Sequence, residues 1–145
     1  MNLSPDSRVW VYKSSRRLTT EEQQFIQQEL DTFISRWAAH GNQLFGKGAV
    51  REDWFVVLAV DEAKGAASGC SIDTSVQFMK ALGEELNVNF FDRMKVLIKE
   101  GDHKSEIHFS ELGNHPDAKV YHPMVRTLHA LQNNWLVPVR SSGLI

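Results

Sequence analysis

The chain has 145 residues, of which 42% are hydrophobic and 23% are charged, and its formal net charge at neutral pH is −2. This length and composition predict one globular α+β domain over residues 1–145 and argue against disorder along the whole chain. The negative net charge argues against a general binder of nucleic-acid backbones. The single cysteine, Cys70, excludes an intrachain disulfide.

No segment of the sequence predicts membrane insertion. Residues 1–20 contain several charged side chains and lack the apolar run of a signal peptide. The longest apolar stretch, Trp54–Val60, is far shorter than the roughly 20 residues that a spanning helix needs. Together with the single cysteine, these patterns predict a cytoplasmic protein.

The first strand and helix have clear signals. Aromatic and β-branched residues alternate in Arg8–Lys13, which predicts a strand. Thr19 and Glu22 have the spacing of a capping box, and an apolar stripe follows them. We therefore predict a helix over Thr20–Ala39, with Gly41 as its left-handed C-cap.

Two strands and a second helix are predicted next. Gln43–Arg51 contains glycines and has the composition of a weak edge strand. Trp54–Val60 is continuously apolar, as expected for a central strand that is covered on both faces. After a loop of small residues, an apolar stripe predicts a helix over Ser71–Asn87.

The last part of the chain predicts a hairpin, a helix and short extended segments. Met94–Lys99 and Lys104–Phe109 are the hairpin strands, and Val120–Tyr121 is extended. Pro123 suits the first position of a helix over Pro123–Asn133. Trp135–Val139 predicts a terminal edge strand, because its proline cannot donate a ladder hydrogen bond.

The first six predicted elements follow the βαββαβ order of a ferredoxin-like core. A C-terminal hairpin strand, a helix and a short strand complete the predicted fold. In this arrangement we expect Arg8–Lys13 and Trp54–Val60 to be central and parallel neighbours. The loops that follow these two strands then lie side by side at one edge of the sheet.

Four segments, Ala59–Glu62, Ala67–Asp73, Phe90–Arg93 and Trp135–Pro138, are similar to parts of a known family. With them, nearly the whole chain resembles an uncharacterised family of small bacterial cytosolic proteins that often carry the label ABC transporter ATPase. The resemblance implies no catalytic residue, because the family has no established activity.

The sequence lacks the phosphate-binding motif that an ABC transporter ATPase requires. A P-loop enzyme needs a glycine-rich phosphate cradle, a lysine on the phosphates and a hydroxyl group on magnesium. In the best candidate, Gly65–Ser71, the glycines are four residues apart rather than five, and Cys70 replaces the lysine. Phe55–Val60 with Asp61 and Glu62 imitates a Walker B motif, but any buried strand that runs into an acidic loop gives this pattern. No ATPase activity is predicted.

Cys70 and Asp61 are the candidate catalytic residues. Cys70 lies beside a predicted helix N-terminus, where backbone N–H groups stabilise a thiolate. The alternative, which a lone cysteine favours, is a small buried residue that packs under a turn. Among the six histidines, His122 and His129 are about 10 Å apart along a helix, too far to share one zinc ion. We predict no metal site and no cofactor.

Aromatic residues on the predicted central strands have two interpretations. Trp10, Tyr12, Trp54 and Phe55 are of the type that stacks bases in RNA-recognition sheets. The accompanying basic and glycine pattern is missing around Trp54, so we interpret these side chains as core. No nucleic-acid partner is expected.

The two loops that follow the predicted central strands are the candidate binding site. Lys13–Thr20 and Asp61–Ser71 each precede a helix, and the exposed N–H groups of helix N-termini suit a phosphate or a carboxylate. If the loops are adjacent, the two N-termini converge. The candidate anion-binding residues are Arg16, Arg17, Gly65, Ser68, Gly69 and Ser71.

Two functions are compatible with these patterns. The favoured one is a non-enzymatic binding or regulatory module that acts through a protein partner or through self-association, for example as a homodimer. The alternative is an enzyme or a binding protein for a small anion, phosphate or nucleotide, with its site at the paired loops and Cys70 as the reactive group.

Overall fold

The computed structural model describes residues 3–145. The first two residues of the predicted domain, Met1 and Asn2, lie outside the described residues. The first part of the chain contains β1 (Arg8–Lys13), α1 (Thr20–Arg36), β2 (Ala38–Ala39), β3 (Asn42–Gln43), β4 (Gly46–Arg51) and β5 (Phe55–Val60). The second part contains α2 (Gly69–Leu86), β6 (Lys95–Glu100), β7 (His103–His108), β8 (Lys119–Tyr121), α3 (Leu128–Asn133) and β9 (Leu136–Pro138).

Two antiparallel sheets form the centre of the structure. The first sheet has the order β1-β5-β4, and the second has the order β7-β6-β8-β9. Every residue of β5 is buried, so the predicted central strand is confirmed. The predicted edge positions of β4 and β9 are confirmed as well.

The first sheet is covered on both faces because the side chains of β5 alternate. Val56 and Leu58 pack against α1 and α2, together with Leu30 and Met79. The opposite face packs on the second sheet and on α3. Its buried cluster is formed by Val9, Phe55, Val57, Ala59, Leu97, Tyr121, Leu128, Leu131 and Trp135.

The α+β class is confirmed, but the ferredoxin-like order is not. In that order β6 would pair with β1, whereas here β6 lies between β7 and β8 in the second sheet. The side chains of β6 explain this placement: Leu97 packs toward the first sheet, and Val96 and Ile98 pack into a separate cluster on the far side. As a result β1 is an edge strand rather than a central one, and it is antiparallel to β5 rather than parallel.

Two predicted helices have different ends in the structure. The capping box of α1 is confirmed, but the helix ends at Arg36, and His40 and Gly41 form the left-handed turn between β2 and β3. The C-terminal helix does not begin at Pro123. Its N-cap is Thr127, whose side chain accepts a hydrogen bond from the N–H of Ala130. A hydroxyl cap satisfies an otherwise unpaired N–H group, which a proline in the first turn does not do.

None of the helices in residues 3–145 combines the length and the apolarity that crossing a membrane requires.

Candidate functional site

The two loops that were predicted to form one site lie at opposite ends of the first sheet. In the antiparallel register, Lys13 pairs with Phe55 and Arg8 pairs with Val60. The loop after Lys13 is therefore separated from the loop after Val60 by the length of the strands, about 17 Å at the usual rise per residue. The prediction of a single anion site between these loops is wrong.

The two arginines of the first loop already have partners. Arg16 donates to both carboxylate oxygens of Glu22 at 2.6 and 2.8 Å and to the carbonyl of Leu86 at 2.8 Å. Leu86 is the last residue of α2, so Arg16 lies at the end of that helix opposite to Gly69. Arg17 donates to the carboxylate of Asp53 at 2.7 Å.

Both helix N-termini are closed by their own side chains. Ser68 and Ser71 form a capping box at α2, as Thr19 and Glu22 do at α1. The hydrogen bonds from Arg16 and from the backbone of Thr19 lower the pKa of Glu22 to about 2. A charged carboxylate therefore occupies the end of α1 that an anion was predicted to fill.

Cys70 and Asp61 lie in different settings. Cys70 is in the first turn of α2 with an exposed side chain, so the predicted packing role under a turn is wrong. Asp61 is buried and accepts hydrogen bonds from the N–H groups of Ala63 at 3.2 Å and Ser4 at 3.5 Å. It caps the short 3-10 turn Glu62–Lys64, which gives the acidic pair after β5 a structural role. A catalytic role for Cys70 stays a prediction.

In residues 3–145 no three His, Cys, Asp or Glu side chains are grouped in a way that would hold a metal ion. The contacts of His122 are structural. Its Nδ1 atom accepts a hydrogen bond from the N–H of Met124 at 3.1 Å, and its Nε2 atom lies 3.1 Å from the carbonyl of Ser142.

The outer edge of β1 is only partly paired. The N–H of Val9 donates to the carbonyl of Arg126, away from β5, at 3.0 Å. Because backbone direction alternates along a strand, the N–H groups of Val11 and Lys13 also point away from β5. Among residues 3–145, no hydrogen bond on this outer side uses the N–H of Val11 or Lys13. Part of a strand edge is therefore unpaired.

This edge forms the floor of a groove, here called the β1 groove. The helix side of the groove is lined by Ile72 and Val76 of α2 and by residues 90–93. The other side is lined by the start of β6 and by residues 121–126. The cavity measures about 680 Å³, which lies within the usual range of ligand sites.

Aromatic side chains of the groove are fixed by contacts within the layers. Tyr12 packs edge-to-face against Phe91, with ring centroids 5.6 Å apart, and Trp10 packs in the same way against Trp37 at 5.9 Å. Burial raises the pKa of Tyr12, and a hydrogen bond with Ser75 and the charge of Arg93 oppose this shift. Arg93 lines the groove together with Phe91 and Asp92.

Cationic side chains dominate the charge of the β1 groove. Arg8 stacks over the ring of Trp10 at 4.8 Å, and Lys95 lies 3.6 Å from the carboxylate of Glu106, which also pairs with Lys13. Asp92 is the one carboxylate among the described residues that line the groove. The cationic side chains are those of Arg8, Lys13, Arg93, Lys95 and Arg126.

Sequence reasoning missed this site because the groove depends on β6 belonging to the second sheet instead of pairing with β1. The available signal was the charge at both ends of the first strand. Arg8 and Lys13 flank an otherwise apolar and aromatic run, and charged residues are common on edge strands. Because Arg8–Lys13 was predicted to be a central strand, no open edge and no groove beside it were expected.

Comparison of the chain with protein-family models, with curated proteins and with solved structures finds no match. The geometry of the β1 groove is therefore the basis on which a function is inferred.

Proposed function

We propose that this protein is a non-enzymatic binding module of the cytoplasm that takes an extended peptide segment of a partner protein into the β1 groove. The unpaired outer edge of β1 is the observation that carries the proposal. Peptide-binding domains that add a strand to a sheet edge use main-chain hydrogen bonds for affinity and side-chain pockets for specificity. The β1 groove combines both features. The exposed free thiol of Cys70 suits a reducing compartment.

The backbone pattern of the groove matches a peptide chain. Val11 presents one N–H donor and one C=O acceptor on the same side of the strand, and Lys13 presents the next donor two residues later. An incoming strand supplies acceptors and donors with this same spacing. At the other end, residues 126–128 of the same chain already pair with the backbone of Ser7 and Val9, which supports the proposal.

Replacement of Val11 by proline tests this proposal. Proline removes the outward N–H and is tolerated on the open side of an edge strand. Short random peptides displayed on phage are selected with the wild-type chain, and the enriched peptides are titrated against both variants. We expect Val11→Pro to weaken them about tenfold or more, since it removes a main-chain hydrogen bond and blocks close approach.

Val11→Ala is the matched control, because it shortens the same side chain and keeps the N–H group. Amide chemical shifts of wild-type Val11 and Lys13 during the titration report contact even if the proline variant does not fold. No enriched peptide, or enriched peptides that bind without shifting these amides, would contradict the proposal.

A further inference from the structure

The charge of the β1 groove is opposite to that of the chain. The chain carries a net charge of −2, yet the groove has five cationic side chains against the carboxylate of Asp92. These cations are only partly neutralised. Glu106 forms ion pairs with both Lys13 and Lys95, so one carboxylate is shared between two cations. In residues 3–145, neither Arg93 nor Arg126 forms an ion pair. A concave site with one sign of charge attracts ligands of the opposite sign.

The cations lie near both ends of β1, with apolar surface between them. Arg8 begins β1, and the backbone of Arg126 is bonded to the next residue, Val9. Lys13 ends the strand and is joined to Lys95 through Glu106. The apolar side chains between these ends belong to Trp10, Val11, Ile72, Val76 and Leu97.

An added strand would present its side chains alternately to the two sides of the groove. One row faces the helix layer and meets Trp10, Ile72 and Val76. The other row faces the second sheet, on the side to which Leu97 points, and Lys95 shares that side because it lies two residues before Leu97. Both rows have an apolar centre.

Resting on the proposed function, we infer that the partner segment is acidic, with carboxylate side chains flanking a short apolar stretch of extended backbone. A second copy of this chain is a poorer occupant. Antiparallel pairing of β1 with its copy is restricted to the second half of the strand, because residues 126–128 already pair with the first part, and it would bring two identical cationic edges together. A nucleic-acid strand supplies phosphates for the cations, but its sugar-phosphate backbone has no N–H group that could donate to the carbonyl of Val11 in the way that a peptide backbone does.

Three synthetic peptides of equal length test the inference: one has Glu residues on both sides of a short run of Val, and the other two have Gln or Lys in place of Glu. Calorimetric titration of the wild-type chain should rank them Glu, Gln, Lys from tight to weak. The affinity of the Glu peptide should fall as salt is raised, since exposed charges are screened. Arg93→Glu should weaken the Glu peptide about threefold to tenfold and strengthen the Lys peptide.

Lys47→Glu is the matched control, because Lys47 is an exposed cation on the opposite edge of the same sheet. It should leave the ranking unchanged. If the Gln and Glu peptides bind equally and both depend on Val11, the acidic partner is refuted while the peptide module stands. If no peptide depends on Val11, the module itself is refuted. An oligothymidine strand that displaces the Glu peptide and binds more tightly would overturn the acidic-peptide assignment.

Discussion

The two edges of the first sheet are protected in different ways. At the β4 edge, α1 packs so closely that a Cβ atom on Gly48 would lie 2.8 Å from Cδ1 of Ile34, and Gln27 donates to the carbonyl of Gly48 at 3.0 Å. At the β1 edge, residues 126–128 pair with the first part of the strand, and the remainder faces the groove. At one edge a helix packs over the strand and bonds to its backbone, and at the other a groove lies beside the strand.

The β1 edge is the one that lies in a groove able to surround a partner strand. Natural sheets protect exposed edges with covering elements or with charged side chains, because an unpaired edge otherwise aggregates. The glycine at position 48 allows the helix to approach β4. The β1 edge has cations instead, and these repel a second copy of the edge while they leave it open to a strand of opposite charge.

The largest effect is expected for Leu30→Ala. Leu30 is fully buried where α1 packs over β4, so its truncation should lower the free energy of unfolding by about 2–5 kcal/mol in urea denaturation. Val11, which is partly exposed at the other edge, should lose less when it is changed to alanine. A larger loss for Val11→Ala than for Leu30→Ala would contradict the contrast between a packed edge and an open one.

A smaller effect is expected for Gln27→Ala. This variant removes the hydrogen bond to the carbonyl of Gly48 and should cost about 0.5–1.5 kcal/mol of unfolding free energy. Gln28→Ala is the control, since Gln28 is exposed on the same helix and its loss should change stability by less than about 0.5 kcal/mol. Equal effects of the two variants would show that the side-chain bond does not protect the β4 edge.

Local patterns predicted the elements better than the arrangement of the sheets. The capping box of Thr19 and Glu22 and the apolar run before Asp61 each depend on neighbours in the chain, and both were interpreted correctly. Whether β6 pairs with β1 or with β8 depends on contacts between distant segments. The alternation of Val96, Leu97 and Ile98 is compatible with either sheet, so the sequence alone did not decide it.

Both the wrongly predicted loop site and the observed β1 groove depend on how the strands pair. With β6 beside β1 there would be no groove, and with β1 parallel to β5 the two loops would have met. Both predicted helices exist with capped N-termini, although α2 begins at Gly69 rather than at the predicted Ser71. Their distance apart was not predictable, because strand direction is set by the whole sheet. The same holds for Arg93 and Lys95, which become groove residues only through the path of the chain after α2.

Amide hydrogen exchange of β1, followed by NMR with and without the peptide in which Glu residues flank a short run of Val, tests the central claim most directly. In the free chain, we expect the amides of Val11 and Lys13 to exchange fast, while those of Trp10 and Tyr12, which face β5, are protected. Addition of the peptide should slow exchange at Val11 and Lys13. Protection of these two amides in the free chain, or exchange that the peptide leaves unchanged, would contradict an open edge that accepts a partner strand.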